Sequence, residues 1–119
     1  MMENLAEDKR SYLPMIVARL KEEGIAKIIL FGSLTSDEVG IDSDIDLMVV
    51  TNDDHMPKSY KEKTDVYLKV SSALTEITRK VPIDLIVYTK PMYKKFNELG
   101  SLFSKEISQN GIVLYEANH

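Results

Sequence analysis

The sequence predicts an α/β fold, a small sheet covered by helices, and three observations carry that expectation. Four apolar runs, "IAKIILF", "DIDLMVV", "IDLIVYT" and "IVLYE", read as strands. Between them lie segments whose apolar residues recur at helical spacing. Glycines and prolines stand at the borders, so that strands and helices largely alternate.

The first helix is expected from Tyr12 to Glu23, where Leu13, Ile16, Val17 and Leu20 share one face. Pro14 is best tolerated in a first turn, and Gly24 supplies a stop. "IAKIILF" follows as a buried strand closed by Gly32-Ser33. Residues 34–43 read as a short helix or loop broken at Gly40. "DIDLMVV" is the second strand and "TNDDHMPK" a loop. A long helix is expected from Ser59 to Arg79, with Val66, Val70, Ala73, Leu74 and Ile77 as its apolar stripe. Pro82 marks the entry to the third strand and Pro91 opens another helix. Gly100 breaks that helix, Ser101 caps a last one over Leu102 to Gln109, and Asn110-Gly111 ends it before "IVLYE".

At 119 residues the chain fits one domain, residues 1–119, with residues 1–11 a loose polar N-terminal segment. A chain of this size hides roughly two-thirds of its unfolded surface, enough for a real core. Hydrophobic residues make up 44% and charged residues 29%, a globular composition. The formal net charge of -4 argues against direct nucleic-acid binding, which favours a basic face. It leaves room for nucleotides, because a metal can carry the positive charge. The lack of cysteine excludes a disulfide framework and a thiolate zinc site. No apolar stretch reaches the ~18 residues of a membrane span. "MMENLAEDKR" lacks the apolar core of a signal peptide, so the expected location is the cytoplasm, with no membrane partner.

The informative stretch is "FGSLTSDEVGIDSDIDLMVV". Side chains alternate along a strand, so Asp44, Asp46, Met48 and Val50 share one face and Ile45, Leu47 and Val49 the other. The two aspartates point the same way from Cα atoms about 7 Å apart. Carboxylates converging to ~5 Å repel by about 3 kcal/mol at an effective dielectric near 20. A cation between them offsets that cost, and Mg²⁺ suits: oxygen ligands, one or two carboxylates, the remainder waters and substrate phosphates. Asp84, in "PIDLIVYT", echoes the same setting and makes a three-carboxylate cluster if the two strands are adjacent. Gly32-Ser33 can bring backbone N–H groups close to a phosphate. Each feature alone has a plainer meaning: solvated charge, a lone acid at a strand entrance, a strand-to-helix turn. Together they are equipment for nucleotidyl transfer, with a third acid to hold metal or take the proton of the attacking hydroxyl.

Gly32-Ser33, a spacer of residues 34–43, and Asp44-Ile45-Asp46 resemble the signature of the polymerase-beta-like nucleotidyltransferase superfamily. "KIILFGS", "DSDIDLMVV", "VPIDLIVYT" and "NGIVLYE" resemble minimal nucleotidyltransferase (MNT) domains over about Leu13 to Glu116. The resemblance implies a small mixed β-sheet flanked by helices, and ATP with Mg²⁺. By matching positions it implies phosphate binding by Gly32 and Ser33, metal ligation by Asp44 and Asp46, and Asp84 as third acid and base. Many minimal members resemble antitoxins that pair with a helical HEPN-type toxin ribonuclease. The reaction implied there is transfer of AMP to a tyrosine of that partner. A homo- or hetero-oligomer is in keeping with so small a catalytic domain.

The chain departs from the family pattern after "GS", where "xARG" is common. Here Leu34, Thr35, Ser36, Asp37 and Glu38 follow, with Ser36 in the arginine's place. Lys58, Lys61 and Lys63 are candidate substitutes, against a plain reading as a solvated helix face. His55 has no second histidine nearby, and His119 is terminal. Tyr60, Tyr67, Tyr88 and Tyr93 are candidates for stacking on a base, although packing is the commoner role. A DxDxT phosphatase needs threonine where Met48 stands, and there is no "GK[ST]" for a P-loop. The rival from another class is an inactive module of the same fold that neutralises a partner by contact alone.

Overall fold

The computed structural model describes residues 9–35 and 44–117. Its centre is a four-stranded sheet made of β1 (Ile25–Phe31), β2 (Ile45–Thr51), β3 (Ile83–Tyr88) and β4 (Ile112–Glu116), in the order β3-β2-β1-β4. β1 pairs antiparallel with both β2 and β4, whereas β2 and β3 run parallel, so the sheet is mixed. Helix α1 (Leu13–Lys21) precedes β1, with its proline in the first turn. A tight 3-10 turn, Gly32–Thr35, follows β1. Lys9 and Arg10 are helical rather than loose, so the expected loose segment does not extend through them.

The crossover from β2 to β3 contains α2 (Tyr60–Ala73) and a short α3 (Thr75–Thr78). Ser59 caps α2 by accepting from the Glu62 N–H at 3.1 Å, and Glu62 Oε1 accepts from the Lys58 N–H at 2.8 Å, which settles where the helix starts. The single helix expected from Ser59 to Arg79 is interrupted at Leu74. Thr75 and Thr78 donate their hydroxyls to the carbonyls of Ser72 and Thr75, competing with the helical ladder there. Leu74 and Ile77 remain buried, so the apolar stripe survives the break. After β3 come α4 (Lys90–Leu99) and α5 (Leu102–Asn110). Gly100 lies between them at φ 62°, a left-handed conformation that glycine adopts without steric cost. The Ser101 hydroxyl caps α5 by accepting from the Ser104 N–H at 3.1 Å.

The sheet is covered on both faces. On the first, Ile28, Leu30, Ile45, Leu47 and Val49 pack with Ile16 and Leu20 of α1 and with Val70, Leu74 and Ile77 of the crossover. On the second, Ile29, Met48 and Ile107 form a smaller cluster with Phe31, Ile86, Tyr88, Tyr93 and Phe96. Fully burying one Leu or Ile side chain contributes roughly 1.5–3 kcal/mol. The expected alternation in β2 is observed: Ile45, Leu47 and Val49 face one layer, and Met48 faces the other. No helix among the described residues is long and apolar enough to cross a membrane.

Candidate active site

Three residues on adjacent strands stand level at one end of the sheet. Phe31, last in β1, is the cross-strand partner of Asp46, and Asp46 is the in-register partner of Asp84. Directly opposed residues project to the same face. The row Phe31–Asp46–Asp84 therefore lies on the second face, where Phe31 packs against Phe103 of α5. Asp84 is on the same side of the sheet as Asp46, as the three-carboxylate reading requires. The echo between "DIDL" and "PIDL" is a register match: Ile45, Asp46 and Leu47 pair with Ile83, Asp84 and Leu85. Asp44 immediately precedes β2 and is exposed, as is Asp84, while Asp46 is half-buried.

The three acids act on one another. Burial raises the Asp46 carboxyl above its ordinary value, and the charges of Asp84 and then Asp44 raise it further. Among the described residues no ion pair joins any of the three to a cation. Nor do three metal-ligating side chains there come close enough to enclose an ion by themselves. The donor set nevertheless fits Mg²⁺, which binds hard oxygens and commonly takes one or two carboxylates, then waters and substrate phosphates.

The turn is built around Asp46. Gly32 has φ +78°, and a Cβ placed on it would fall on the Oδ2 atom of Asp46. Only glycine lets the strand end pass so close to that carboxylate. The turn is held by the Thr35 hydroxyl, which donates to the Gly32 carbonyl at 2.7 Å, and by Leu34, buried in the first core layer. Ser33 is exposed beside it. A cation that no sequence pattern singles out reaches this turn: Arg10 donates its Nε–H to the Leu34 carbonyl at 3.1 Å. Ser36, Asp37 and Glu38 lie outside the described residues.

The other sequence candidates stand elsewhere. β2 and β3 both begin at the acid end, so the loop that leads into α2 leaves from the opposite end. There Asp53 pairs with Lys69 at 3.7 Å and accepts from the Lys90 N–H at 3.1 Å. Lys58, Lys61 and Lys63 belong to that far end, and Lys61 pairs with Asp65 at 3.1 Å. They do not replace the arginine, because the parallel crossover carries the helix start away from the acids. His55 is exposed in the same distant loop. Tyr60 and Tyr67 are on α2, and Tyr88 and Tyr93 pack into the second cluster against Phe96. Sequence reasoning also passed over Phe103, whose ring packs edge-on against Phe31 at 5.5 Å. Its only signal was an apolar residue in the first turn of the last helix.

Comparison with known proteins bears on this arrangement. The profile of the family described as "Polymerase beta, Nucleotidyltransferase" matches residues 15–119. Among solved structures, the chain is similar to a protein of Sulfolobus solfataricus described as a candidate nucleotidyltransferase. Identity is 15%, covering 98% of this chain and 90% of that one, with a TM-score of 0.60, a likeness of fold. It is also similar to a chain of a mutant MntA-HpeT toxin-antitoxin complex, at 17% identity over 89% of this chain and 74% of that one, TM-score 0.48. No curated protein matches it. The match over nearly the whole length, on a mixed sheet with this acid row, settles the family: the chain belongs to the polymerase beta nucleotidyltransferases.

Proposed function

We propose that the protein transfers AMP from ATP to a hydroxyl acceptor, with Asp44, Asp46 and Asp84 as its catalytic acids. The single observation that carries this reading is the in-register pairing of Asp46 with Asp84 beside the Gly32-Ser33 turn. In the proposal Asp44 and Asp46 hold Mg²⁺, with Asp84 as a third ligand, and Gly32 and Ser33 receive the phosphates. The chemistry Mg²⁺ supplies when bound is neutralisation of the polyphosphate and alignment of an in-line displacement. Asp84 takes the proton of the acceptor hydroxyl. The bond from the acceptor oxygen to the α-phosphorus forms, the bond from that phosphorus to the bridging oxygen breaks, and pyrophosphate leaves. Arg10, bonded to the turn through Leu34, brings one positive charge to that end of the fold.

The finer reading, that the acceptor is a tyrosine of a HEPN-type toxin and this protein its antitoxin, rests on the resemblance of the sequence to minimal nucleotidyltransferases. A second reading is favoured by Ser36, which stands where the family's arginine is common, with Asp37 and Glu38 after it. In that case the fold neutralises a partner by contact without transfer. One experiment separates them: the protein is mixed with α-labelled ATP, Mg²⁺ and a candidate HEPN-type partner. Enzymatic transfer predicts label on the partner, and Asp84→Ala should lower its rate about 10²–10⁴-fold, the usual worth of a general base. Asp44→Ala should abolish it. Partner inhibition that survives both substitutions sinks the transfer reading and leaves the contact model.

A further inference from the structure

A nucleotide held by the acid row has to rest its base against something. Stacking needs an aromatic ring that is near the acids, fixed in orientation and open to solvent on one side. Phe31 is level with Asp46, but Phe103 packs over it. Tyr88, Tyr93 and Phe96 are packed together inside the second cluster. Tyr60, although 85% exposed, stands on α2 at the other end of the sheet. Phe103 combines a place beside Phe31, which is level with Asp46, with two fixing ring contacts and partial exposure. Its ring is held nearly perpendicular to Phe31 at 5.5 Å and 76°, and to Phe96 at 5.7 Å and 73°. It nonetheless remains 40% exposed.

We propose that Phe103 is the stacking surface for the base of the bound nucleotide, on one flank of the Asp46–Asp84 row. The inference rests on the nucleotidyl-transfer reading and adds to it the residue that grips the base. Two leucines extend the same corner: Leu99 at the end of α4 and Leu102 at the start of α5 are 73% and 87% exposed. Apolar side chains that open to water beside a stacking ring suit the edges of a planar heterocycle. The two edge-on contacts fix the ring before any ligand arrives, so binding loses little side-chain freedom. Base–aromatic stacking tolerates different bases, because each has a π-face. Phe103 thus supplies affinity for a nucleoside triphosphate over bare polyphosphate and only weak choice among bases.

The test measures the affinity of ATP and of inorganic tripolyphosphate, each with Mg²⁺, by calorimetry on the full chain. Wild type should bind ATP more tightly than tripolyphosphate. Phe103→Ala should weaken ATP about tenfold or more, as removal of a stacking ring does. It should leave tripolyphosphate within twofold, and Phe103→Trp should restore ATP binding. A 2-aminopurine triphosphate should lose fluorescence on binding wild type and keep it with Phe103→Ala. Equal affinity of the two ligands for wild type, or no loss of ATP affinity in Phe103→Ala, overturns the inference while the transfer reading stands. A matched loss of both ligands in a folded Phe103→Ala also overturns it, since the ring then acts on the phosphate site. Failure of both ligands to bind wild type overturns the transfer reading, and this inference falls with it.

Discussion

Asp46 is held in a place that opposes its charge. Burial raises its carboxyl above the ordinary value of 3.8, and the charges of Asp84 and then Asp44 raise it further. The native state therefore holds this proton more readily than the unfolded chain. The stability that goes with protonation is fully present below the ordinary value and is lost as pH rises through the raised native one. Above that pH the ionised group is a standing cost in the metal-free protein. Asp46→Asn should accordingly melt higher than wild type at pH 7 without metal, and the gap should close as pH falls below the ordinary carboxylate value. Adding Mg²⁺ should raise the melting temperature of wild type more than that of the variant. Thermal melts in a pH series, with and without Mg²⁺, check both statements. The common face of Asp44 and Asp46 was expected from their spacing, whereas Asp84 joins them only because β2 and β3 pair in parallel. Arg10 was not legible, since a polar residue in a segment expected to be loose carries no sign of the turn it will reach.

At the scale of elements, the junction of β1 with its 3-10 turn decides whether the acid row is usable. Gly32 combines φ +78° with a close approach to the Asp46 carboxylate. Gly32→Ala adds both backbone strain and a clash, so it should cost roughly 1–3 kcal/mol of stability and lower transfer at least about tenfold. Denaturant titration measures the first effect and the labelled-ATP assay the second. The strands were readable from their apolar runs, and Gly100 and Ser101 announced the α4–α5 corner. The pairing of β2 with β3 was suggested by the repeated "IDL", a local echo of a long-range contact. The break at Leu74 was hidden because the apolar stripe runs straight across it. It shows only in the threonine hydroxyls that turn back on the chain.

For the whole molecule, topology separates the acids from the lysines of the α2 entrance. The acids and the glycine turn gather where β2 and β3 start. The lysines of the α2 entrance gather beyond where the strands finish, where Lys61 pairs with Asp65. Replacing Lys58, Lys61 and Lys63 together by alanine should therefore leave ATP affinity within about twofold, since exposed charges beyond a Debye length of ~8 Å are largely screened. Calorimetric titration with ATP and Mg²⁺ provides the check. Their remoteness could not be read from the sequence, where they follow the DxD strand closely; it depends on which way the crossover runs. Phe103 was unreadable for the same reason, because its place beside Phe31 exists only after α5 has folded back over the sheet.

Asp46 and Asp84 become neighbours only when a strand has been left, a helical crossover traversed and a parallel partner found. Closure entropy weighs against such non-local pairing before its contacts form. A nascent chain released up to the end of β2 carries its DxD pair without the third acid. On the proposed transfer reading, competence for catalysis therefore reports on completed folding, since a half-made protein has no assembled acid row.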